Sequence, residues 1–474
     1  MSSHAAIFDL DRTLIAGSSS VVIQRHLVAA GITGERDIPF ADTLARLYER
    51  HGENWLMMQP ARFASRAAKG WSVAEVQAAC KAAAQDLVAE LQPFAPGVID
   101  EHRAAGAKLV LATTSPEAFV RPLADALQFD DVVCTKWVEV DGAYTGETDG
   151  PFVWGKAKAD AVIDWADANG VNLADSHAYS DSYFDAPLLD AVGHPVAVNP
   201  DTQLAATAAV KGWPIRHLDL SDGVAKVGGR ELQDWTRPLL RPELVAPYVR
   251  FHFEGIEHIP ADGPALVVFN HRSYFDPTVM GLAMAKAGRS IRGLGKKEVF
   301  DVPIAGRVLS AFGGIRVERA SGSDEPLDKA ATALEGGELV MMAPQGTIPR
   351  GPAFFDPVLK GRWGAARLAA MTGAPVIPVG LWGTEKVWPR RARIPNFSVR
   401  NRPEVTATIG PPVSLELSDP DRDTTAIMAA IVDLLPAEAR EEKSPTEEEL
   451  LATFPPGYDG DPMAEGDRRP GTDT

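Results

Sequence analysis

Residues 5–13 read Ala-Ala-Ile-Phe-Asp-Leu-Asp-Arg-Thr, and their pattern predicts how the first half of the chain folds. Its four apolar residues predict a buried strand, and the carboxylates of Asp9 and Asp11 follow it directly. Carboxylates just beyond a buried parallel strand can point into the crevice at the carboxyl edge of a sheet, where ligands bind. One of them can attack phosphorus while the other serves as acid and base. Taken alone, the spacing favours two turn or cap aspartates over a catalytic pair.

The pattern around this stretch predicts an α/β fold. Short apolar runs at 107–112, 178–179 and 196–198 alternate with helical stretches such as 156–169, which indicates a Rossmann-like parallel sheet covered by helices on both faces. Residues 19 to about 92 are helical in pattern and follow the first strand directly, as an inserted helical cap would. A hairpin is predicted over 137–146, because Asp141-Gly142 is a strong turn signal.

Later polar residues complete a set suited to phosphoryl transfer. Thr113 ends an apolar strand, Asp181 and Asp185 follow the strand at Tyr179, and Lys156 opens a helix after a glycine. Carboxylate oxygens suit magnesium, and a hydroxyl and an ammonium can hold phosphoryl oxygens. Lys156 is our choice for the ammonium, with neighbouring Lys158 as its competitor.

This ordered set resembles the haloacid dehalogenase superfamily of phosphatases, in the branch that contains phosphoserine phosphatase. The resemblance covers about residues 4–217. It implies that Asp9 is the nucleophile and Asp11 the general acid, that Thr113 and Lys156 bind the phosphoryl group, and that Asp185 supports the metal shell. It also implies a Mg²⁺ site formed by Asp9, Asp181 and the backbone carbonyl of Asp11. A phosphomonoester is the implied substrate. The fourth motif departs from the family, because Ser180 stands where glycine is common.

A second constellation follows the apolar run 265–269, where residues 270–277 read Asn-His-Arg-Ser-Tyr-Phe-Asp-Pro. A histidine needs a partner that fixes its tautomer, and Asp276 can reach His271 when the intervening chain turns into a helix. His271 could then deprotonate a hydroxyl group. Asp276-Pro277 is also a good helix start, with aspartate as N-cap and proline at the first helical position. Both roles can hold together.

Three more segments extend this constellation along the chain. Arg319 follows a predicted strand at 315–317, Gln345-Gly346-Thr347 follows one at 339–342, and Pro378 lies in another at 376–381. Arginine is suited to bidentate phosphate recognition, and a glycine turn exposes backbone N–H groups to an anion. A surface ion pair and a plain turn are the structural alternatives. Basic residues just beyond, at positions 350, 360 and 362, are either headgroup contacts or solvated charges.

The order and spacing of these blocks resemble the lysophosphatidic acid acyltransferase family of glycerolipid acyltransferases, over about residues 245–412. The resemblance implies that His271 is the general base on the acceptor hydroxyl, that Asp276 orients it, and that Arg319 binds phosphate. Residues Gln345, Gly346 and Thr347 would shape the glycerol-phosphate pocket. The family usually has glutamate where this chain has Gln345, which bears on the identity of the acceptor.

Charge divides the chain of 474 residues into three parts. The net charge of −17 consists of −13 in residues 1–235, +7 in residues 236–410 and −11 in residues 411–474. The overall charge argues against nucleic-acid binding, whereas the basic middle part suits anionic lipid headgroups. Cys80 and Cys134 cannot form a disulfide framework, and no apolar run approaches the length of a membrane span. We therefore expect a cytoplasmic protein bound peripherally to the inner face of the membrane.

The domain prediction is a phosphatase domain at 1–217, a linker with a leading helix at 218–244, an acyltransferase domain at 245–435 and a disordered acidic tail at 436–474. The function expected is bifunctional. The second domain would transfer an acyl chain from acyl-CoA or acyl carrier protein to a lysophospholipid, with 1-acylglycerol-3-phosphate as the favoured acceptor. The first would hydrolyse a phosphomonoester. The alternatives are a phosphatase-like domain that only regulates or scaffolds, and a lipid-binding module without acyl transfer.

Overall fold

The computed structural model describes residues 3–34, 58, 64–317 and 325–463. The chain divides into two compact units, Met1–Asp222 and Gly223–Thr474. None of the helices in the described ranges combines the length and the apolar character of a membrane-spanning segment.

The first unit is built on a sheet of seven strands in the order β4-β3-β2-β1-β5-β6-β7. All neighbouring strands are parallel except the β3–β4 pair. Its strands are β1 (Ala5–Phe8), β2 (Lys108–Pro116), β3 (Asp131–Val140), β4 (Ala143–Asp149), β5 (His177–Ser180), β6 (His194–Val198) and β7 (Ile215–Arg216). Its helices are α1 (Ser19–Ala29), α2 (Ala64–Ala67), α3 (Val73–Ala89), α4 (Ala95–Ala104), α5 (Glu117–Ala126), α6 (Lys156–Asn169), α7 (Ala186–Ala191) and α8 (Thr202–Lys211).

Strand β1 shows why this sheet is covered on both faces. All four of its residues are fully buried, and successive side chains point to opposite faces of a strand. Ala6 and Phe8 join one hydrophobic core, whereas Ala5 and Ile7 join another. An uninterrupted apolar run is what a central parallel strand between two helical layers requires. The predicted α/β fold of this unit is confirmed.

Two local predictions have different outcomes. The hairpin is present, since β3 and β4 pair antiparallel around Asp141 (φ 49°) and Gly142 (φ 77°), two left-handed residues as a type I′ turn demands. Of the predicted cap, 35–57 and 59–63 lie outside the described residues. The described part contains helices, and Ile23 of α1 and Leu87 of α3 are buried in the core that contains Phe8.

The second unit has its own seven-stranded sheet, in the order β10-β16-β15-β11-β14-β12-β13, and only β15 and β16 pair antiparallel. The strands are β10 (Arg250–Glu254), β11 (Ala265–Phe269), β12 (Arg292–Lys296), β13 (Gly314–Val317), β14 (Leu339–Met342), β15 (Val376–Trp382) and β16 (Glu404–Ile409), with a separate hairpin of β8 (Lys226–Val227) and β9 (Arg230–Glu231). The helices are α9 (Leu232–Thr236), α10 (Pro242–Val245), α11 (Asp276–Lys286), α12 (Lys297–Phe300), α13 (Pro303–Ala311), α14 (Glu325–Glu335), α15 (Gly364–Thr372), α16 (Thr384–Val387), α17 (Pro420–Asp433) and α18 (Glu447–Ala452).

Strand β11 is the central strand of this sheet and, like β1, is buried on both faces. Its five residues are all buried, with Val267 in one core and Leu266 and Val268 in the other. It pairs in parallel with β14 and β15, so the chain that leaves β11 emerges at the carboxyl edge. The second predicted α/β domain is confirmed as well.

The predicted linker at 218–244 is corrected. Leu218 is fully buried in the first unit, where its carbonyl accepts a hydrogen bond from Phe94 N (2.9 Å). Residues from Gly223 belong to the second unit. There the Gln233 amide donates to the carbonyls of Ile291 (2.8 Å) and Phe312 (2.9 Å), so this segment is docked rather than free.

The prediction of disorder after Pro436 is wrong for residues 437–463. Helix α18 begins with a capping box of Thr446 and Glu449, and Leu450 and Phe454 are buried. Thr453 Oγ1 accepts a hydrogen bond from Gly351 N (2.8 Å), which fastens the segment to the body of the unit. The prediction of disorder was based on the acidic composition of the segment, which does not reveal these few buried apolar residues.

Candidate active sites

Asp9 lies directly beyond β1, at the carboxyl edge of the first sheet. Its N–H donates to the Tyr179 carbonyl of β5 (2.9 Å), which continues the pairing of the two strands. Arg12 then adopts a left-handed conformation (φ 62°), and the chain turns so sharply that Leu14 N reaches back to the Leu10 carbonyl (2.9 Å). This turn holds Asp9 buried at the end of the strand.

Lys158, and not Lys156, reaches Asp9. Lys158 Nζ lies 2.8 Å from Asp9 Oδ1 and 2.7 Å from Asp185 Oδ2, and its side chain is 1% exposed. The side chain of Lys156 is 78% exposed and pairs with Asp160 one helical turn further along. Residues two apart on an α-helix point in nearly opposite directions, so only one of the two can face the sheet edge. The choice of Lys156 is therefore corrected.

Asp181 and Asp185 lie beyond β5, beside Asp9. Thr13, for which we predicted no role, accepts a hydrogen bond from Asp181 N (3.0 Å) and donates to Asp181 Oδ1 (3.4 Å). Arg12 Nε lies 3.2 Å from Asp181 Oδ2. Ser180, at the position where the family commonly has glycine, donates to Asp185 Oδ2 (2.8 Å). The Asp-Leu-Asp-Arg-Thr turn and the β5 turn are thus bound to each other.

Asp11 occupies a different environment from Asp9. One of its carboxylate oxygens accepts a hydrogen bond from Ser19 N (2.6 Å), at the start of α1. Burial raises the pKa of Asp11 above the ordinary value for aspartate, although the Ser19 hydrogen bond and the charge of Lys158 oppose that change. A carboxyl group with a raised pKa can carry the proton that a general acid donates. Two carboxylates two residues apart therefore have environments suited to different tasks.

The donor set fits a divalent cation of the magnesium type. Within the described residues, no three His, Cys, Asp or Glu side chains are grouped to hold a metal by themselves. The site nevertheless gathers four carboxylates, on Asp9, Asp11, Asp181 and Asp185, against two cations, Arg12 and Lys158. Asp185 Oδ1 is buried without a hydrogen-bond partner in the described part of the chain. Hard oxygen ligands and excess negative charge are what Mg²⁺ prefers.

Thr113 is buried in β2, the strand that pairs with β1 on the side opposite β5. Its hydroxyl accepts a hydrogen bond from Ser115 N (3.3 Å) at the end of the strand. Asp9 and Asp181 follow β1 and β5 directly, as predicted, whereas Thr113 lies inside β2, which continues to Pro116, just beyond the last residue that pairs with β1.

The second candidate site begins where β11 ends. His271 Nδ1 lies 2.6 Å from Asp276 Oδ2, the aspartate is fully buried, and the histidine side chain is 24% exposed. The same aspartate oxygen accepts hydrogen bonds from Arg272 N (2.7 Å) and Ser273 N (2.9 Å). Because the Asp276 carboxylate accepts a hydrogen bond from Nδ1, the proton of the neutral ring lies on Nδ1 and Nε2 is the basic nitrogen. Asp276 opens α11, but its carboxylate faces back to His271 and does not cap that helix.

Two residues that the sequence did not assign fix the turn on the sheet. Asn270 is buried and exchanges two hydrogen bonds with Leu381 of β15, from Nδ2 to the carbonyl (2.9 Å) and from Leu381 N to Oδ1 (2.7 Å). Ser273 Oγ donates to the Trp388 carbonyl (2.7 Å). An asparagine before the histidine and a serine after it are the signals that could have shown this.

Gln345 lies against the histidine turn. Its Oε1 accepts the hydrogen bond of His271 N (2.7 Å), and the residue is 8% exposed. The amide oxygen gives His271 an acceptor without placing a second negative charge near Asp276. Gly346 follows with φ 66° and donates its N–H to the Ala343 carbonyl (2.8 Å), so the turn needs a residue that tolerates this conformation.

The remaining residues of the acyltransferase-like set have separate outcomes. Thr347 follows Gly346 in the same loop and is half-buried. Pro378 is paired with Val268 of β11 inside the sheet, so it supports the strand that carries His271. Arg319 lies outside the described residues, and its predicted role stays a prediction.

Comparisons with known proteins agree with this division of the chain. The haloacid dehalogenase-like hydrolase family matches residues 6–190, and the acyltransferase family matches residues 250–382. A probable phosphatase of Mycobacterium tuberculosis is 34% identical over 44% of this chain and 74% of its own length. A chloroplastic 1-acyl-sn-glycerol-3-phosphate acyltransferase of Arabidopsis thaliana is 30% identical over 31% of this chain and 39% of its own length.

A solved 1-acyl-sn-glycerophosphate acyltransferase from Thermotoga maritima is 22% identical, with a TM-score of 0.34, over 45% of this chain and 82% of that one. The first unit belongs to the haloacid dehalogenase-like hydrolases, and the second unit matches the acyltransferase family over residues 250–382.

Proposed function

We propose that the second unit transfers an acyl chain from a thioester, acyl-CoA or acyl carrier protein, to the hydroxyl group of a lysophospholipid, with 1-acylglycerol-3-phosphate as the favoured acceptor. The observation that carries this proposal is the 2.6 Å contact between His271 Nδ1 and the fully buried Asp276. It supports a role for Nε2 as the base on the acceptor, because the other nitrogen holds the ring proton.

The reaction needs no acyl-enzyme. As Nε2 takes the hydroxyl proton, the acceptor oxygen attacks the thioester carbonyl, and a carbon–oxygen bond replaces the carbon–sulfur bond. The thiolate leaves and takes the proton from the imidazolium. Asp276 stabilises the charged ring between these steps, and Gln345 holds the main chain of His271 in place.

The test is a thioester assay on the full chain with a panel of lysophospholipids. Acylation that His271→Ala abolishes while lipid binding persists would support acyl transfer. Equal activity in both proteins, or binding without any acylated product, would favour a lipid-binding module instead.

The first unit is proposed to hydrolyse a phosphomonoester. Asp9 would attack phosphorus to give an aspartyl phosphate, and Asp11 would protonate the leaving oxygen; water would then release phosphate and regenerate Asp9. Lys158 and Thr113 would hold the phosphoryl oxygens, with Asp185 supporting Lys158. Mg²⁺, when held by Asp9, Asp181 and the Asp11 carbonyl, would neutralise charge on the phosphoryl group.

Phosphate release from a panel of phosphomonoesters in the presence of magnesium tests this activity. Asp9→Asn should abolish the release, whereas Asp160→Asn, a surface aspartate of α6, should not. Equal release by the wild type and Asp9→Asn would favour a regulatory or scaffolding unit.

A peripheral encounter with anionic membranes completes the proposal. Residues 236–410 carry a net charge of +7, and α13 exposes Val308 and Leu309 beside Arg307. Basic charge and exposed apolar side chains together favour an anionic lipid surface. Sedimentation of the full chain with anionic vesicles should weaken as salt increases, and binding that ignores salt and lipid charge would contradict the idea.

A further inference from the structure

Arg390 is a buried cation for which the described residues provide no acidic partner. It follows α16, and it is 6% exposed. Its Nη1 donates to the Ile348 carbonyl (2.6 Å), whereas its Nε has no hydrogen-bond partner in the described part of the chain. Burial lowers the pKa of Arg390, and the charge of Arg350 lowers it further. A buried guanidinium without a counter-charge is costly unless an anion joins it.

The other deeply placed arginines of this unit show what a structural arginine looks like. Arg292 is 2% exposed and is bound by Glu231 through two contacts of 2.9 Å and by Glu338 at 2.6 Å. Arg272 makes two contacts of 3.1 Å with Glu385. Each of these cations is matched by carboxylates within hydrogen-bond distance. Arg390 departs from that rule, and its neighbour Arg350 adds a second positive charge instead of a negative one.

The two arginines lie beside the histidine turn. Arg390 holds the Ile348 carbonyl in the loop that begins at Gln345, and Gln345 in turn holds His271 N. The Trp388 carbonyl accepts from Ser273 Oγ, two residues beyond His271. The Tyr274 ring packs edge-on against Trp388 (5.8 Å between centroids), and the nearby Tyr274 hydroxyl acts against the lowering of the Arg390 pKa. Segments 271–276, 345–350 and 388–390 therefore meet at one place.

We propose that Arg390 and Arg350, with the Tyr274 hydroxyl, form a phosphate-binding site next to His271. A phosphate monoester would supply the missing negative charge, and paired guanidinium groups suit its oxygens. This inference rests on the proposed acyl transfer and names residues in addition to Arg319. The phosphate belongs either to the acyl acceptor or to the coenzyme A part of the donor, and the proximity to the base on the acceptor hydroxyl makes the acceptor our assignment.

The experiment compares Arg390→Gln with Arg391→Gln in the full chain, since Arg391 is the adjacent, exposed arginine. We expect Arg390→Gln to raise the KM for a lysophospholipid phosphate by about 10- to 100-fold, the loss typical of a charge-assisted contact. The kcat and the KM for the thioester should change by less than about threefold, and Arg391→Gln should resemble the wild type. Acylation of a monoacylglycerol, which has no phosphate, should not distinguish Arg390→Gln from the wild type.

Each other outcome has a definite meaning. A raised KM for acyl-CoA, with an unchanged KM for the acceptor, would keep the phosphate site but overturn our assignment to the acceptor. Unchanged constants for both substrates would overturn the site. Should Arg390→Gln fail to fold, Arg350→Gln gives the same comparison at a half-buried position.

A readout without turnover separates this inference from the proposed function. Inorganic phosphate should raise the thermal stability of the second unit in the wild type more than in Arg390→Gln; the first unit is identical in both proteins and cancels in the difference. A difference in stabilisation without acylation of any acceptor would sustain the anion site and refute the acyl transfer. Acylation of an acceptor, with equal stabilisation by phosphate in both proteins and unchanged KM values, would sustain the acyl transfer and refute the anion site.

Discussion

Replacing Lys158 with Met is expected to destabilise the first unit strongly and to abolish phosphate release. The Lys158 ammonium is shared by Asp9 and Asp185, whose side chains are only 10% and 1% exposed. Its removal leaves two buried carboxylates without their cation, and breaking a buried pair by deleting one partner costs about 3 to 5 kcal/mol. The matched control is Lys156→Met, because that side chain is 78% exposed and its ion pair is worth less than about 1 kcal/mol.

Hydrogen exchange of the intact chain measures this effect in the first unit alone. Amides of β1 and α6 should lose about 3 to 5 kcal/mol of protection in Lys158→Met and almost none in Lys156→Met. Adding Asp185→Asn to Lys158→Met removes one of the stranded charges, so part of the protection should return while phosphate release stays absent. Equal effects of the two lysine variants on protection and on phosphate release would refute the assignment of Lys158 to the site.

Three further predictions concern other parts of the chain. Gln345→Leu removes the acceptor of the His271 N–H, at a cost of about 1 to 3 kcal/mol, so the rate of acyl transfer should fall. Gln345→Glu keeps an acceptor oxygen and should keep acyl transfer. Equal rates in the two variants would contradict the role of the amide oxygen. Phe454→Ala should destabilise the second unit by about 3 kcal/mol, because Phe454 is 1% exposed, whereas exposed Glu448→Ala should not; equal melting temperatures would mean that the C-terminal segment is not docked in solution. Burial, with His102, His194 and His4 nearby, lowers the pKa of His177 from 6.5 to about 4. Between these two pH values the unfolded chain binds the proton more tightly than the folded chain does. The free energy of unfolding therefore has its full value above pH 6.5 and declines as the pH falls toward 4. We expect that decline to be about 1 kcal/mol after solvent screening and to vanish in His177→Gln, as measured by urea unfolding against pH; an equal decline in the variant would assign it to other groups.

Much of this architecture could be predicted because both sheets are built on continuous apolar runs. The runs at 5–8 and 265–269 are central parallel strands, and the polar residues that follow them must emerge at the carboxyl edge. Asp9 and His271 are placed at the sheet edge for that reason.

Helical phase explains the error at Lys156. Both lysines lie in the first turn of α6, and which of them faces the sheet depends on how the chain enters the helix at Gly155, where φ is 58°. That backbone angle cannot be predicted from the composition of the chain or from the spacing of the lysines. The docked C-terminal segment escaped prediction because a few buried residues, such as Leu450 and Phe454, outweigh an acidic average.

Arg390 could not be selected from the sequence, because it is one of several arginines between residues 390 and 402. Only the burial of its side chain, beside a second guanidinium and without a carboxylate among the described residues, distinguishes it from exposed Arg391 and Arg393.

The decisive measurement is acyl transfer from a thioester to 1-acylglycerol-3-phosphate by the full chain, compared with His271→Ala and Asp276→Asn. We predict an acylated product from the wild type, none from His271→Ala, and a loss of at least about 100-fold in Asp276→Asn, because the amide no longer fixes the ring proton on Nδ1. Undiminished acyl transfer by His271→Ala would contradict the role of His271 as the base.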